Sequence, residues 1–313
     1  MPFRKILQGY EAVVEQEMSA IAGNPEVSLF YDPIRYMLSL KGKRIRPFLT
    51  ILCGLIFGSD VSKLRFSAAA VELLHSFTLV HDDIMDNDET RRGKPTIHVQ
   101  WDLGTAILAG DGLMGLAFQK LLASPAGDQA AMARRFTETM IVICEGQGLD
   151  KMFEKTERVS REAYLNMIAS KTAVLLELAC ELGGMVASAD PDDRRRLREY
   201  GYALGMAFQI RDDLLDVMAD EHQLGKKTGS DLLMKKKTIL TILLTEITNN
   251  QAFFDLPLHE FKKLLQQHSV LNRVEEMYQA YFKTAYLKLE ELPRNEHTAN
   301  LRQLTDMIRD RTW

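Results

Sequence analysis

The sequence predicts an all-α protein. Three observations carry that expectation: apolar residues recur every three or four positions along most of the 313 residues, alternating β-branched runs are missing, and turn-forming residues gather in short breaks. Helices are expected near 5–22, 30–41 and 45–57, separated by Gly23-Asn24-Pro25 and Lys41-Gly42-Lys43. A long one near 64–86 follows Gly58-Ser59-Asp60, and two more, near 103–123 and 128–153, flank Ser124-Pro125-Ala126-Gly127. The pair near 161–187 and 191–220 breaks at Ser188-Ala189-Asp190-Pro191, and after His222 to Ser230 come 234–249, 259–266 and 270–292. Several of these exceed twenty residues and hold few breakers, which points to a large bundle whose ligands come from facing helices. A chain of this length lies at the upper end for a single core, so one large domain or two closely packed halves would both fit. No break is long enough to be a domain linker, and residues 1–313 are read as one domain.

Composition sets limits on function. Hydrophobic content of 46% and charged content of 26% are ordinary for a globular chain and sufficient for a core. A net charge of -4, with a pI near 6.0 and no long basic block, argues against nucleic-acid binding. The three cysteines, Cys53, Cys144 and Cys180, are odd in number and widely spaced, which fits free thiols in the cytoplasm better than a disulfide framework or a zinc site. Residues 1–20 alternate charged and apolar positions, unlike a signal peptide, and no uninterrupted apolar run reaches the length of a membrane span.

The chemistry concentrates in two copies of one acidic pattern, Asp82-Asp83-Ile84-Met85-Asp86 and Asp212-Asp213-Leu214-Leu215-Asp216, each inside an apolar helical stretch. The first and third Asp of each copy are four residues apart, so their carboxylates share a helix face at about 6 Å. Such a pair repels itself and needs a counter-charge. Mg²⁺ fits, because it takes one or two carboxylates, keeps several waters and completes its shell with substrate phosphate oxygens. A solvated acidic face would account for one copy, but two chance matches are expected in well under about one chain in a hundred. Two clusters therefore suggest one polyphosphate clamped between two carboxylate walls through shared metal ions.

Basic groups flank both clusters. Gly42-Lys43-Arg44-Ile45-Arg46-Pro47 puts three cations in a turn, a candidate phosphate cradle. Arg91 and Arg92 follow the first cluster, and with Gly93 behind them they are expected at a helix terminus. Lys226 and Lys227 follow the second cluster, and Lys235-Lys236-Lys237 come next. Any one of these alone would be an ordinary solvated turn; their position around the acidic helices is what marks them.

These motifs resemble the polyprenyl synthetase family, the trans-isoprenyl diphosphate synthases. The turn at Gly42 to Pro47, Glu72-Leu73-Leu74-His75 leading into His81-Asp82-Asp83-Ile84-Met85-Asp86, Arg91-Arg92-Gly93, Lys171-Thr172-Ala173, Phe208-Gln209 and Gly225-Lys226 stand in the family's order over nearly the whole chain. One departure follows Asp231-Leu232, where Met234-Lys235 replaces the family's usual Glu-Gly before Lys236. The resemblance implies the all-α type I isoprenoid synthase fold, with long, mostly antiparallel helices around a central cavity. It implies that Asp82, Asp86, Asp212 and Asp216 hold about three Mg²⁺ ions, with Asp83 and Asp213 in the same metal clusters and mainly supporting them. Arg91, Lys171, Thr172, Gln209 and Lys226, with Lys236, would bind an allylic diphosphate. Lys43, Arg46, His75 and Arg92 would bind isopentenyl diphosphate. A homodimer is implied as well, and Met-rich stretches would suit its surface.

Product length is expected to depend on Phe77 and Thr78, five and four residues before Asp82. One aromatic beside a Thr, with no insertion in the motif, resembles the geranylgeranyl (C20) pattern over the farnesyl (C15) one; longer products are the other alternative. A class I terpene cyclase would carry a different second metal motif and would not need Lys43 and Arg46, and a non-catalytic family subunit would have lost one cluster.

Overall fold

The computed structural model describes residues 3–21, 25–40, 42–218 and 229–310. Its helices are α1 (Phe3–Ser19), α2 (Ser28–Ser39), α3 (Ile45–Ile56), α4 (Val61–Met85), α5 (Ile97–Gln100), α6 (Leu103–Leu122), α7 (Gln129–Lys155), α8 (Arg161–Ile168), α9 (Val174–Val186) and α10 (Pro191–Met218). They continue with α11 (Ser230–Leu233), α12 (Ile239–Thr248), α13 (Leu258–Gln267), α14 (Val270–Glu290) and α15 (Glu296–Asp310). The protein is all-α, as its periodicity requires. Among the described residues the sole sheet is a hairpin of two short strands, β1 (Thr90–Arg91) and β2 (Lys94–Pro95).

Two compact units divide the chain: residues 1–138, 177–198 and 289–313 form the first, and residues 139–176 and 199–288 the second. In the first, α4 is the central helix, packed by α1, α3 and α6. Its run Ala68-Ala69-Ala70-Val71, with Leu73 and Leu74, is fully buried, so α4 is apolar nearly all round instead of amphipathic. Asp60 caps its start by accepting from the Lys63 N–H at 3.2 Å. Helix α3 approaches α9 closely enough that a Cβ on Gly183 would lie 2.3 Å from the Thr50 carbonyl oxygen. On its other side α3 receives α15, which lies beyond the last helix expected from the periodicity. Asn295 starts α15 by accepting from the N–H groups of His297 and Thr298, and Leu301, Leu304 and Ile308 bury its inner face.

The second unit contains α8, α11, α12 and α13 with most of α7, α10 and α14. Between α8 and α9 the backbone makes a π turn, Ala169–Ala173. A π turn inserts an extra residue and splays the helix, so it persists where neighbouring elements leave room for it. Here they do: a Cβ on Gly146 of α7 would sit 2.5 Å from the Lys171 nitrogen, and one on Gly205 of α10 would sit 2.5 Å from Ala173 Cα. The stretch Arg161–Val186 is long and apolar enough to cross a membrane by length and composition, but over half of it is buried inside the protein. It also carries Lys171 and Glu177, both ion-paired, as a core helix does.

Candidate active site

Both acidic motifs fall at helix C-termini. Asp82 and Asp83 lie in the last turn of α4 and Asp86 is its C-cap; Asp212, Asp213 and Asp216 lie in the last two turns of α10. No basic residue occupies either last turn. The helix dipole puts partial negative charge at this end, so the carboxylates add to an already negative pole. Hard oxygen donors under such a field fit a divalent cation. Among the described residues no three His, Cys, Asp or Glu side chains converge to hold a metal ion by themselves.

In the first unit the middle carboxylate is spoken for. Asp83 is buried and accepts from Arg91 Nε at 2.6 Å and from Arg91 Nη2. Burial pushes the Asp83 carboxyl up, and Arg91 pulls it back. Asp82 and Asp86 share the adjacent, partly exposed row. Arg91 does not stand at a helix terminus, as its spacing from Gly93 suggested. It lies in β1, and Arg92 and Gly93 make the two-residue turn, with φ of 55° and 74°. Two successive positive φ values match the right-handed twist of a hairpin, which is why the chain reverses here.

That hairpin carries Arg92 back to the Gly42 turn, where Arg92 Nη1 donates to the Leu40 carbonyl at 2.6 Å. A Cβ on Gly42 would meet Arg92 Nη2 at 2.6 Å, so a side chain there would push the guanidinium from its present place. The three cations of the turn then separate. Arg44, at φ 47°, turns inward and bonds Glu72 at 2.5 Å and Glu15 at 2.8 Å. Burial would lower its guanidinium, but Glu72 and Glu15 raise it above the ordinary value. Arg44 is thus a structural cation that fixes the turn, and Lys43 and Arg46 remain as the ligand candidates.

Arg46 Nη1 lies 3.1 Å from His75 Nε2. Since arginine can only donate, the ring takes the tautomer with Nε2 unprotonated. Burial first, then Arg46, Arg92, Arg91 and Arg44, hold the imidazole well below its ordinary value. Burial also lowers the Arg46 guanidinium to about 10, with Glu72 opposing and Arg92 adding. Arg46 Nε is buried with no hydrogen-bond partner. Cations crowded to this degree around an orphaned donor call for an anion.

The second unit treats its acidic cluster differently. Asp213 is buried and accepts from the Tyr164 hydroxyl, from Gln209 Nε2 at 3.1 Å and from the Ile239 N–H at 3.3 Å. Burial first, then Asp231, pushes its carboxyl up to about 7. Asp216, also buried, takes the Ser230 hydroxyl at 2.9 Å and the Asp231 N–H at 3.2 Å, so it tethers α11 to α10. Asp212 is the partly exposed member. The expected ligand groups gather near this cluster: Thr172 donates to Gln209 Oε1 at 2.9 Å, and Lys171 Nζ pairs with Asp150 at 2.6 Å. The π turn is what brings Lys171 and Thr172 there.

Lys236 is half-buried between two lysines that turn elsewhere, Lys235 to Asp255 at 2.6 Å and Lys237 over the Phe254 ring. Lys226 lies outside the described residues. Phe77 is buried and meets His81 edge-on at 4.8 Å, whereas Thr78, half-buried, donates to the His75 carbonyl at 2.8 Å. Asp150 and Tyr164 are not among the residues that the motifs mark, and their partners are 21 and 49 residues away. A signal for the first was present: Gly146 in the middle of a long helix costs about 1 kcal/mol against Ala and marks a close backbone approach.

Acidic helix ends with clustered cations beside them, in a protein that is otherwise helical, fit the class of enzymes that act on phosphorylated substrates. The sequence profile of the polyprenyl synthetase family matches residues 27–281, and the chain belongs to that family. It is 42% identical over 213 residues to a short chain isoprenyl diphosphate synthase of Methanocaldococcus jannaschii, a match covering 68% of this chain and 65% of that one. A geranylfarnesyl diphosphate synthase of Natronomonas pharaonis is 34% identical over 310 residues, covering 90% of each chain. Among solved structures, the geranylgeranyl pyrophosphate synthetase of Pyrococcus horikoshii superposes with a TM-score of 0.92 at 33% identity, over 98% of this chain and 97% of that one. The fold is the all-α type I isoprenoid synthase fold, and the enzyme is a trans-prenyltransferase.

Proposed function

We propose that this enzyme condenses isopentenyl diphosphate with an allylic diphosphate and that its main product is geranylgeranyl diphosphate. The observation that carries the reading is the crowding of Arg46, Arg92 and His75 around the orphaned Arg46 Nε, because a second diphosphate site separates a chain-elongating synthase from a cyclase. Asp82 and Asp86, with Asp212 and Asp216, would hold about three Mg²⁺ ions, supported by Asp83 and Asp213. When bound, Mg²⁺ supplies positive charge against the negative charge of the departing diphosphate.

The protein's own groups then divide the work. Lys171, Thr172 and Gln209, with Arg91, Lys226 and Lys236, grip the allylic diphosphate, and the bond between the allylic C1 and its oxygen breaks with the electron pair leaving on diphosphate. Lys43, Arg46, His75 and Arg92 hold the isopentenyl diphosphate so that its double bond attacks that C1 and forms the new C–C bond. A proton is lost from the adduct to the released diphosphate, so no side-chain base is needed. His75, kept neutral, accepts from Arg46 and aims its guanidinium instead of adding a fourth charge.

Radiolabelled isopentenyl diphosphate should enter a lipophilic product in the presence of Mg²⁺ with a farnesyl, geranyl or dimethylallyl starter. No product with any of the three starters would sink the proposal. Chromatography of the product tests the C20 assignment against C15 and C25. A homodimer is proposed too, supported by Leu103, Ile107 and Leu108 of α6, which are 55%, 43% and 55% exposed; light scattering giving a monomer mass would remove it.

A further inference from the structure

His81 precedes the first metal cluster by one residue, yet it stands outside the chemistry just described. On α4 it is four residues from Phe77, and so shares a row with it, while Thr78, Asp82 and Asp86 form the neighbouring row. Its ring meets the Phe77 ring edge-on at 4.8 Å with an interplanar angle of 64°. The opposite side of the imidazole presses on α6. A Cβ on Gly110 would fall 2.1 Å from His81 Nε2 and 2.4 Å from Cδ2, so the ring occupies the space a side chain at 110 would need. Around the same edge, Nε2 lies 3.4 Å from the Ile107 carbonyl oxygen and 3.9 Å from Asp111 Oδ1. The ring is thus bounded by a backbone notch on one side and an aromatic neighbour on another, with 25% of the side chain exposed. The Phe77 side chain is held in turn, because rotation about its χ1 would drive it into that fixed ring or out of its buried position.

We propose that His81, seated in the notch at Gly110, is a specificity-determining positioning residue that holds the Phe77 ring at the floor of the product chain. The inference rests on the reading of Phe77 as that floor and adds that the floor is rigid only while His81 props it. With His81→Ala the Phe77 ring gains rotational freedom, and a growing apolar chain displaces it at small cost.

The test is the product distribution from farnesyl diphosphate and excess isopentenyl diphosphate for four proteins: parent, Phe77→Ala, His81→Ala and the double variant. Phe77→Ala and His81→Ala should each move the main product at least one C5 unit longer. The double variant should go no further than Phe77→Ala alone, since the two residues act through one ring. His81→Phe, which keeps an aromatic edge against Phe77, should retain more of the parental product than His81→Ala. Product length is read as a ratio among products, so a lowered overall rate from the neighbouring Asp82 does not obscure it, and a thermal melt of each variant checks folding. A longer product from Phe77→Ala with a parental product from His81→Ala would overturn the role of His81 while leaving the floor intact. Parental products from both would remove the floor itself. A double variant that elongates well beyond either single one would show His81 acting independently of Phe77, contrary to the proposal.

Discussion

The two acidic clusters share one sequence pattern and are stabilised by different means. In the first, the buried middle carboxylate Asp83 is balanced by a full positive charge, Arg91, brought by a hairpin. In the second, the partners of Asp213 and Asp216 among the described residues are neutral donors: a tyrosine hydroxyl, a glutamine amide, a serine hydroxyl and two backbone N–H groups at helix starts. Burial, and after it the charge of Asp231, outweighs these donors, and Asp213 rises to about 7. Identical local spacing therefore leaves the two middle carboxylates in different settings, one paired with a cation and one held by neutral donors.

The comparison is broken most severely at the outer carboxylates, where the two clusters are expected to be alike. Asp82→Ala and Asp212→Ala should each lower kcat by roughly 10³-fold or more with the fold retained, as steady-state kinetics and circular dichroism would show. A variant within about tenfold of the parent would take its residue out of the metal set. The inner carboxylates should then separate the clusters. Arg91→Ala leaves a buried carboxylate without its cation and should cost about 3 kcal/mol in urea unfolding, whereas Tyr164→Phe removes one neutral donor among several and should cost about 1 kcal/mol. Equal losses would mean that the kind of counter-group does not matter.

Smaller effects sharpen the contrast. Gly146→Ala places a methyl against the Lys171 backbone at 2.5 Å, and should raise KM for the allylic substrate more than KM for isopentenyl diphosphate. Comparable increases in both would detach the π turn from the allylic site. For His75 the sign follows from its depressed folded-state value. Below about pH 6.5 the unfolded chain takes up a proton that the native ring refuses, so stability falls as pH drops through and below that value. His75→Gln should flatten this part of the stability curve, and an unchanged slope between pH 5 and pH 7 would exclude His75 as its source.

Much of the candidate site was legible because its signals are local. Asp82 with Asp86, and Asp212 with Asp216, announce themselves through four-residue spacing on a helix, and Gly42 through its place among cations. Arg91 and Arg92 were legible as site residues but not in their setting, since Arg92-Gly93 was read as a helix end and is a hairpin turn with two positive φ values. Helix α15 escaped because its apolar face is short, although Asn295 supplied a starting signal. Tyr164 had none, and Asp150 only the indirect one of Gly146 on the same helix, because each gains its role from a partner placed by tertiary packing.

By itself the amino-acid sequence determined the helical class, the two acidic helix ends and the basic groups beside them, since helical periodicity, dipole and spacing act within a few residues. Tertiary structure alone decided which cation turns inward, as Arg44 does toward Glu72, and which stands beside a neutral imidazole with a donor left over, as Arg46 does beside His75. It also decided that Lys171 and Thr172 sit on a π turn, because the glycines that make room for it lie on two other helices. Burial and charge pairing depend on residues far apart in the chain, and only the folded arrangement brings them within the few ångströms over which those forces act.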